Sequence, residues 1–187
     1  CRDLSKSERE ELSKHKIPAT RIRVPNKIYA FEDKVYGQTS QNLSKLCGDF
    51  IVQRADEVFA YQLAVVVDDA DMGVTEVVRG SDLLSSTPRQ LYLQDVLGFS
   101  HPIYAHLPLL VAPDGRRLSK RNHDLDLGVL RDQGKTPEEI LGFLAYCIGL
   151  AEKEEPLSAA QVANRFSWDV LRAHRKNVVV EHFSHVL

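Results

Sequence analysis

The sequence predicts an α/β protein, a mixed body to about residue 125 followed by a small helical module. Three observations carry this. Strand-like and helix-like segments alternate through the first two thirds of the chain. A strand at VTEVVRG (74–80) leads into a well-punctuated helix and then into extended chain that turns at Asp114-Gly115. Past Asp126 the signals are helical only, with two capping boxes.

Taken in order, residues 4–16 read as a short polar helix, opened by Ser5 or Ser7 and closed before Pro18. RIRVPNKIYAFED and KVYGQT read as short strands with one wet face. Residues 58–67 stay open between strand and helix. Three consecutive valines favour a buried strand, but the run is longer than most strands. In VTEVVRG the strand ends at Gly80. SSTPRQLYLQDVLG then gives a helix, with Thr87 as cap, Pro88 in the first turn and Gly98 as terminator. HPIYAHLPLLVAPDG is extended, Pro-broken chain, and its turn delivers a loop at the end of an apolar strand, where α/β proteins bind ligands. Thr136-Pro137-Glu138-Glu139 opens a helix with an apolar stripe of Ile140, Leu141, Leu144 and Ile148, stopped by Gly149. Ser158 to Gln161 is a second capping box, and Trp168, Val170 and Leu171 suggest a third short helix.

The 187 residues suit one domain, or one and a small appendage, with ordinary soluble composition at 43% hydrophobic and 27% charged. A net charge of -2 argues against a protein that coats nucleic acid nonspecifically, so RNA contact has to come from local patches. One lies in residues 1–27, with eight Lys or Arg against four acids, and another is Arg172, Arg175 and Lys176. No apolar run approaches the roughly 20 residues of a membrane helix. Cys1, Cys47 and Cys147 are far apart and form no metal-like pair, which reads as a reducing, cytoplasmic compartment. Cys47 and Cys147 sit among apolar neighbours and are expected in the core.

The densest basic patch is DGRRLSKRNHD (114–124), with Arg116, Arg117, Lys120 and Arg121 directly after the turn. Such a cluster is either hydrated surface or a binding loop for a polyphosphate or nucleic-acid backbone. Spacing alone leaves both readings open. Tyr61 and Arg79 are equally ambiguous on their own, as a buried aromatic and a strand-end salt bridge.

RLSKR (117–121), FAYQLAVVVDDADMGVTEVVRG, SDLLSSTPRQLYLQDVLG and YAHLPLL occur in the order found in the glutamyl branch of the class I aminoacyl-tRNA synthetases. The resemblance runs from about residue 48 to 150. It implies the second half of a Rossmann-like class I synthetase catalytic domain and a helical reading for Tyr61 to Asp69. RLSKR resembles the second signature of the class, usually KMSKS. The resemblance implies that Lys120 is catalytic, that Arg117, Leu118, Ser119 and Arg121 bind ATP with it, and that His106, Leu109 and Leu110 lie near the adenine. Tyr61 and Arg79 match positions that bind glutamate. Arg54 and Asp56 resemble a family turn in which Glu57 here replaces a glycine. ATP with Mg2+ is the implied cosubstrate. His101, His123, His174, His182 and His185 match no partner pattern and are expected at the surface.

The wording RGSDLLSSTPRQ resembles a shortened group within that branch, which lacks an anticodon-binding domain and transfers glutamate to the queuosine base of tRNA(Asp). In that group CRDL resembles the sequence at the last cysteine of a zinc site, so Cys1 would be one ligand whose companions are absent. The first residue is Cys rather than Met, and no HIGH-type signature is found. The expected organisation is part of the inserted acceptor-binding region at 1–48, the C-terminal half of the catalytic domain at 49–125 and a helical stem-contact module at 126–187. Such a piece is expected to be a monomer, inactive by itself and without bound Zn2+. An ordinary glutamyl-tRNA synthetase core and a non-catalytic RNA-binding paralogue are the competing expectations.

Overall fold

The computed structural model describes residues 2–118 and 127–180, and the chain divides into two compact units. The first comprises Cys1–Phe31, Gln38–Glu76 and Ser85–Pro102, and the second Glu32–Gly37, Val77–Leu84 and Ile103–Leu187.

In the first unit, α1 (Lys6–His15) opens at Ser5, whose hydroxyl accepts from the Glu8 N–H while Glu8 accepts from the Ser5 N–H at 2.7 Å. None of its residues is buried, so local capping rather than packing defines it. Then follow β1 (Thr20–Ile22), β2 (Ile28–Asp33), β3 (Gly37–Asn42), the single turn α2 (Leu43–Leu46) and β4 (Phe50–Gln53). β1 pairs antiparallel with β4. Asp49 ties the chain after β1, accepting from the Val24 N–H at 2.8 Å, while Arg21 donates to the Asp49 carbonyl at 2.9 Å.

The open segment is settled as helix: α3 spans Tyr61–Asp71, with Val66 its buried residue. Next come β5 (Glu76–Gly80), a 3-10 turn over Ser81–Ser86 and α4 (Thr87–Leu97). Here one expectation fails. Thr87 is not the cap; the cap position is Ser86, in right-handed helical conformation and without a side-chain cap bond. The 3-10 turn runs straight into α4, so the usual extended cap residue is missing and Thr87 is packed inside. Pro88 does occupy the first turn, and Gly98 closes the helix at φ 73°. Leu91 and Leu93 join the core, and Gln90 donates to Gln62 of α3 at 2.9 Å.

In the second unit, the end of β2 lies parallel to β6 (Ile103–Leu107) with Asp33 opposite Tyr104, and β6 neighbours β5. β7 (Leu110–Val111) is followed by the expected turn, where the Gly115 N–H bonds the Ala112 carbonyl at 2.8 Å and Gly115 takes φ 80°. The helices are α5 (Leu127–Asp132), α6 (Pro137–Cys147), α7 (Ala159–Arg165) and α8 (Trp168–Ala173), after which β8 (Val178–Val179) pairs parallel with β7. The capping boxes at Thr136 and Ser158 form as read. The stripe on α6 is wider than its period suggested. Ile140 and Leu144 pack on Leu130 and Phe143, and Ile148 packs on Ala145, Leu150, Ala151 and Leu157. The most buried residues of the helix are Gly142, Phe143 and Ala145, because it is covered on two sides.

Cys47 and Cys147 are half-buried rather than fully enclosed. Burial raises the Cys47 thiol pKa, and burial followed by the Glu154 charge pushes Cys147 up to about 11.

Candidate active site

Strands place successive side chains on opposite faces, so Tyr104 and His106 share one face of β6, and the neighbouring β5 ends in Arg79 and Gly80. Arg79 donates from Nε to His106 Nε2 at 3.0 Å, and its guanidinium carbon lies 5.2 Å from the centre of the Tyr104 ring. The Tyr104 and His106 rings are stacked 6.1 Å apart at 16°. An arginine braced by both an acceptor and an aromatic face is held in one orientation.

Behind His106 lies Asp33. Its Oδ2 is 2.6 Å from His106 Nδ1, and both side chains are fully buried. The other carboxylate oxygen accepts from the Val35 and Tyr36 N–H groups at 3.0 and 2.9 Å, and the His106 N–H reaches Oδ2 at 3.2 Å. Burial alone raises a carboxyl pKa. Here the hydrogen bonds from the His106 side chain and from the three backbone N–H groups outweigh it, and Asp33 stays below its ordinary range.

Two side-chain ends crowd Gly80. A Cβ there would lie 2.7 Å from Asp82 Oδ1 and 2.9 Å from Leu109 Cδ2. Leu109 is set by its main chain, whose N–H bonds Asn177 Oδ1 at 3.0 Å and whose carbonyl accepts from the Val178 N–H at 2.9 Å. Arg117 donates to Asp82 and bridges antiparallel to Val111, which ties the entry of the basic loop to the residues following β5. Leu118 is half-buried; Ser119, Lys120 and Arg121 lie outside the described residues, as does Cys1.

The second unit thus gathers Arg79, His106, Leu109 and Arg117 around the ends of β5 and β6. Leu110 follows in β7, half-buried. Tyr61 belongs to the first unit, as the opening residue of α3, 57% exposed. In the same unit Arg54 pairs with Asp56 at 2.7 Å, and Glu57 takes φ 65°. The turn therefore keeps a left-handed residue although glycine is absent. Sequence reasoning missed Asp33 and Tyr104; the one available signal for Asp33 was a carboxylate closing a strand just before a turn.

His101 and His174 are exposed, as expected, and each has a partner. His101 is 2.8 Å from Asp95, and His174 Nδ1 bonds the Val170 carbonyl at 2.9 Å with its ring against Gly149. His123, His182 and His185 lie outside the described residues. Among the described residues no group of three His, Cys, Asp or Glu side chains is arranged to hold a metal, so no described donor set fits the zinc implied beside Cys1. No described helix is long and apolar enough to cross a membrane.

The mixed α/β body that carries Arg79 and the start of the basic loop has the fold of a class I synthetase catalytic domain. The profile for tRNA synthetases class I (E and Q), catalytic domain, matches residues 1–184, and the chain belongs to that family. It is 60% identical over 102 residues to the glutamyl-Q tRNA(Asp) synthetase of Pseudomonas putida strain GB-1, covering 54% of this chain and 35% of that protein. The glutamyl-Q tRNA(Asp) synthetase of Symbiobacterium thermophilum is 45% identical over 179 residues, 95% of this chain and 54% of the relative. The chain therefore spans between about a third and about a half of these relatives. Among solved structures, a glutamate tRNA ligase from Elizabethkingia meningosepticum, crystallised with its amino acid, superposes with a TM-score of 0.74 at 25% identity, over 94% of this chain and 39% of that one. Glutamate-tRNA synthetase from Elizabethkingia anophelis gives 0.75 at 25% identity, over 95% and 40%.

Proposed function

We propose that the protein carrying this chain activates glutamate with ATP and transfers it to the queuosine base of tRNA(Asp). The observation that carries the reading is the fixed guanidinium of Arg79 at the end of β5, held by His106 and Tyr104. Removing a carboxylate from water without a partner costs several kcal/mol, and a preorganised arginine fork offsets that cost with two charge-assisted hydrogen bonds. In this reading Tyr61 donates its hydroxyl to the same amino acid.

In the activation step the α-carboxylate of glutamate attacks the α-phosphorus of ATP. The P–O bond to the β,γ-diphosphate breaks, and glutamyl-adenylate and pyrophosphate form. No protein nucleophile is needed, so positioning and cations do the work. Lys120, aided by Arg117 and Arg121, follows the charge on the phosphates, Ser119 donates a hydrogen bond, Leu118 also binds ATP, and Leu109, Leu110 and His106 lie near the adenine. Mg2+ arrives with ATP as its counter-ion. Residues 1–48 act as part of the acceptor-binding insertion, 49–125 as the catalytic half and 126–187 as the stem-contact helices. The relatives named glutamyl-Q tRNA(Asp) synthetase support the transfer to queuosine. The glutamate tRNA ligase structures favour a second reading, ordinary charging of a tRNA 3' end.

The test uses the complete gene product. Glutamate-dependent exchange of pyrophosphate into ATP is expected with no tRNA present, followed by transfer of labelled glutamate to tRNA(Asp) only when queuosine is there. Exchange that needs tRNA, or labelling of tRNA lacking queuosine, would overturn the first reading in favour of the second.

A further inference from the structure

Three groups form a line in the second unit: Asp33, His106 and Arg79, linked at 2.6 and 3.0 Å. An arginine Nε–H is always a donor, so His106 Nε2 has to present its lone pair. The ring proton then sits on Nδ1, facing an acceptor-only carboxylate. A proton on Nε2 would set two donors against each other 3.0 Å apart. The arrangement admits one imidazole state, and the network around Asp33 selects it.

We propose that Asp33 and His106 are positioning residues for glutamate recognition: Asp33 holds the imidazole in its Nδ1–H tautomer, and that tautomer holds the Arg79 fork. The proposal rests on Arg79 as the glutamate-binding arginine and adds what sets its orientation. Neither Asp33 nor His106 touches substrate in this account. Full burial of both keeps water from substituting for either bond.

The informative variant is Asp33→Asn, which keeps size and removes charge. Its amide nitrogen has two places to go. At Oδ1 it would oppose the Val35 and Tyr36 N–H groups, which are fixed donors. At Oδ2 it opposes His106 Nδ1 and the His106 N–H, and the ring can respond by moving its proton to Nε2. The second placement relieves more conflict. It turns His106 into a donor toward Arg79 and expels the guanidinium from its seat.

Two measurements on the complete gene product test this. Nitrogen-15 NMR of the histidine rings is expected to find His106 of the unaltered protein protonated on Nδ1 and bare on Nε2, and the reverse in Asp33→Asn. Pyrophosphate exchange is expected to show the glutamate KM raised about tenfold to a hundredfold in Asp33→Asn, as for loss of a charge-assisted hydrogen bond, with the ATP KM within about twofold. A merely structural role would move both constants or neither. An unaltered protein with the Nε2–H tautomer overturns the proposal without touching the function reading. So does an unchanged glutamate KM in a variant whose tautomer has switched. An unchanged glutamate KM in Arg79→Lys overturns the pocket assignment and the proposal together.

Discussion

Gly142 lies in the middle of α6, where intrinsic propensity favours alanine over glycine by about 1 kcal/mol. Gly142→Ala is nevertheless expected to destabilise the second unit. A Cβ at this position would lie 1.7 Å from the Glu155 carbonyl oxygen, 2.8 Å from its carbon and 3.3 Å from the Leu157 nitrogen. All three are backbone atoms, so no side chain can rotate away. Real Cβ contacts stay beyond 3.0 Å, and the 155–157 segment has to retreat by more than an ångström. That movement strains the bond from the Leu157 N–H to the Glu138 carbonyl, now 2.9 Å, whose loss costs about 1 kcal/mol. It also begins to lift Leu157, 2% exposed, from its cluster with Ala145, Leu150 and Ala151. Overpacking of this kind costs about 1–3 kcal/mol. Set against the propensity gain, the net loss is about 1–3 kcal/mol, a fall in Tm of about 2–12 °C for a chain of this size. Thermal and urea unfolding followed by circular dichroism measure it. A Gly142→Ala protein as stable as the parent, or more stable, would refute the packing argument.

Other consequences are open to measurement. Glu57 occupies left-handed backbone at φ 65°, which costs an L-residue about 1–2 kcal/mol, partly offset in glycine by its larger unfolded-state entropy. Glu57→Gly is therefore expected to raise stability by up to about 1 kcal/mol in urea titration, whereas Glu57→Val should lower it. Asp33 has its carboxyl depressed in the folded state, so its contribution is complete above the unfolded value near pH 4 and is lost as pH falls through the lower folded value. The stability gap between the unaltered chain and Asp33→Asn should shrink on acidification, and a gap that widened toward low pH would contradict the sign. Cys147, raised to about 11 by burial and Glu154, should resist iodoacetamide at pH 8 until denaturant is added. Native alkylation at the rate of a free cysteine would count against it.

Much of this architecture was legible before any coordinates, because its signals are local. Ser5, Thr136 and Ser158 announce helices through bonds made within four residues, and Gly98 and Gly115 mark places where φ turns positive. The order of RLSKR, RGSDLL and YAHLPLL carried the family. Where the reading failed, a neighbour decided the outcome. Thr87 had every attribute of a cap, yet the 3-10 turn before it removed the extended residue a cap requires. The α6 stripe looked one-sided because a period counts apolar residues and cannot register a glycine that admits a backbone segment.

The candidate site divides in the same way. Arg79, His106 and the start of the basic loop were singled out through the family resemblance, since residue type and spacing alone left Arg79 and the loop ambiguous. That Asp33 stands behind His106, 73 positions away, depended on β2 lying beside β6. Burial and tautomer arise only when distant strands exclude water from a shared point. Sequence by itself determined which groups were available and where the chain would turn; tertiary structure decided which of them meet, because hydrogen bonds act over about 3 Å and chain separation does not encode that distance.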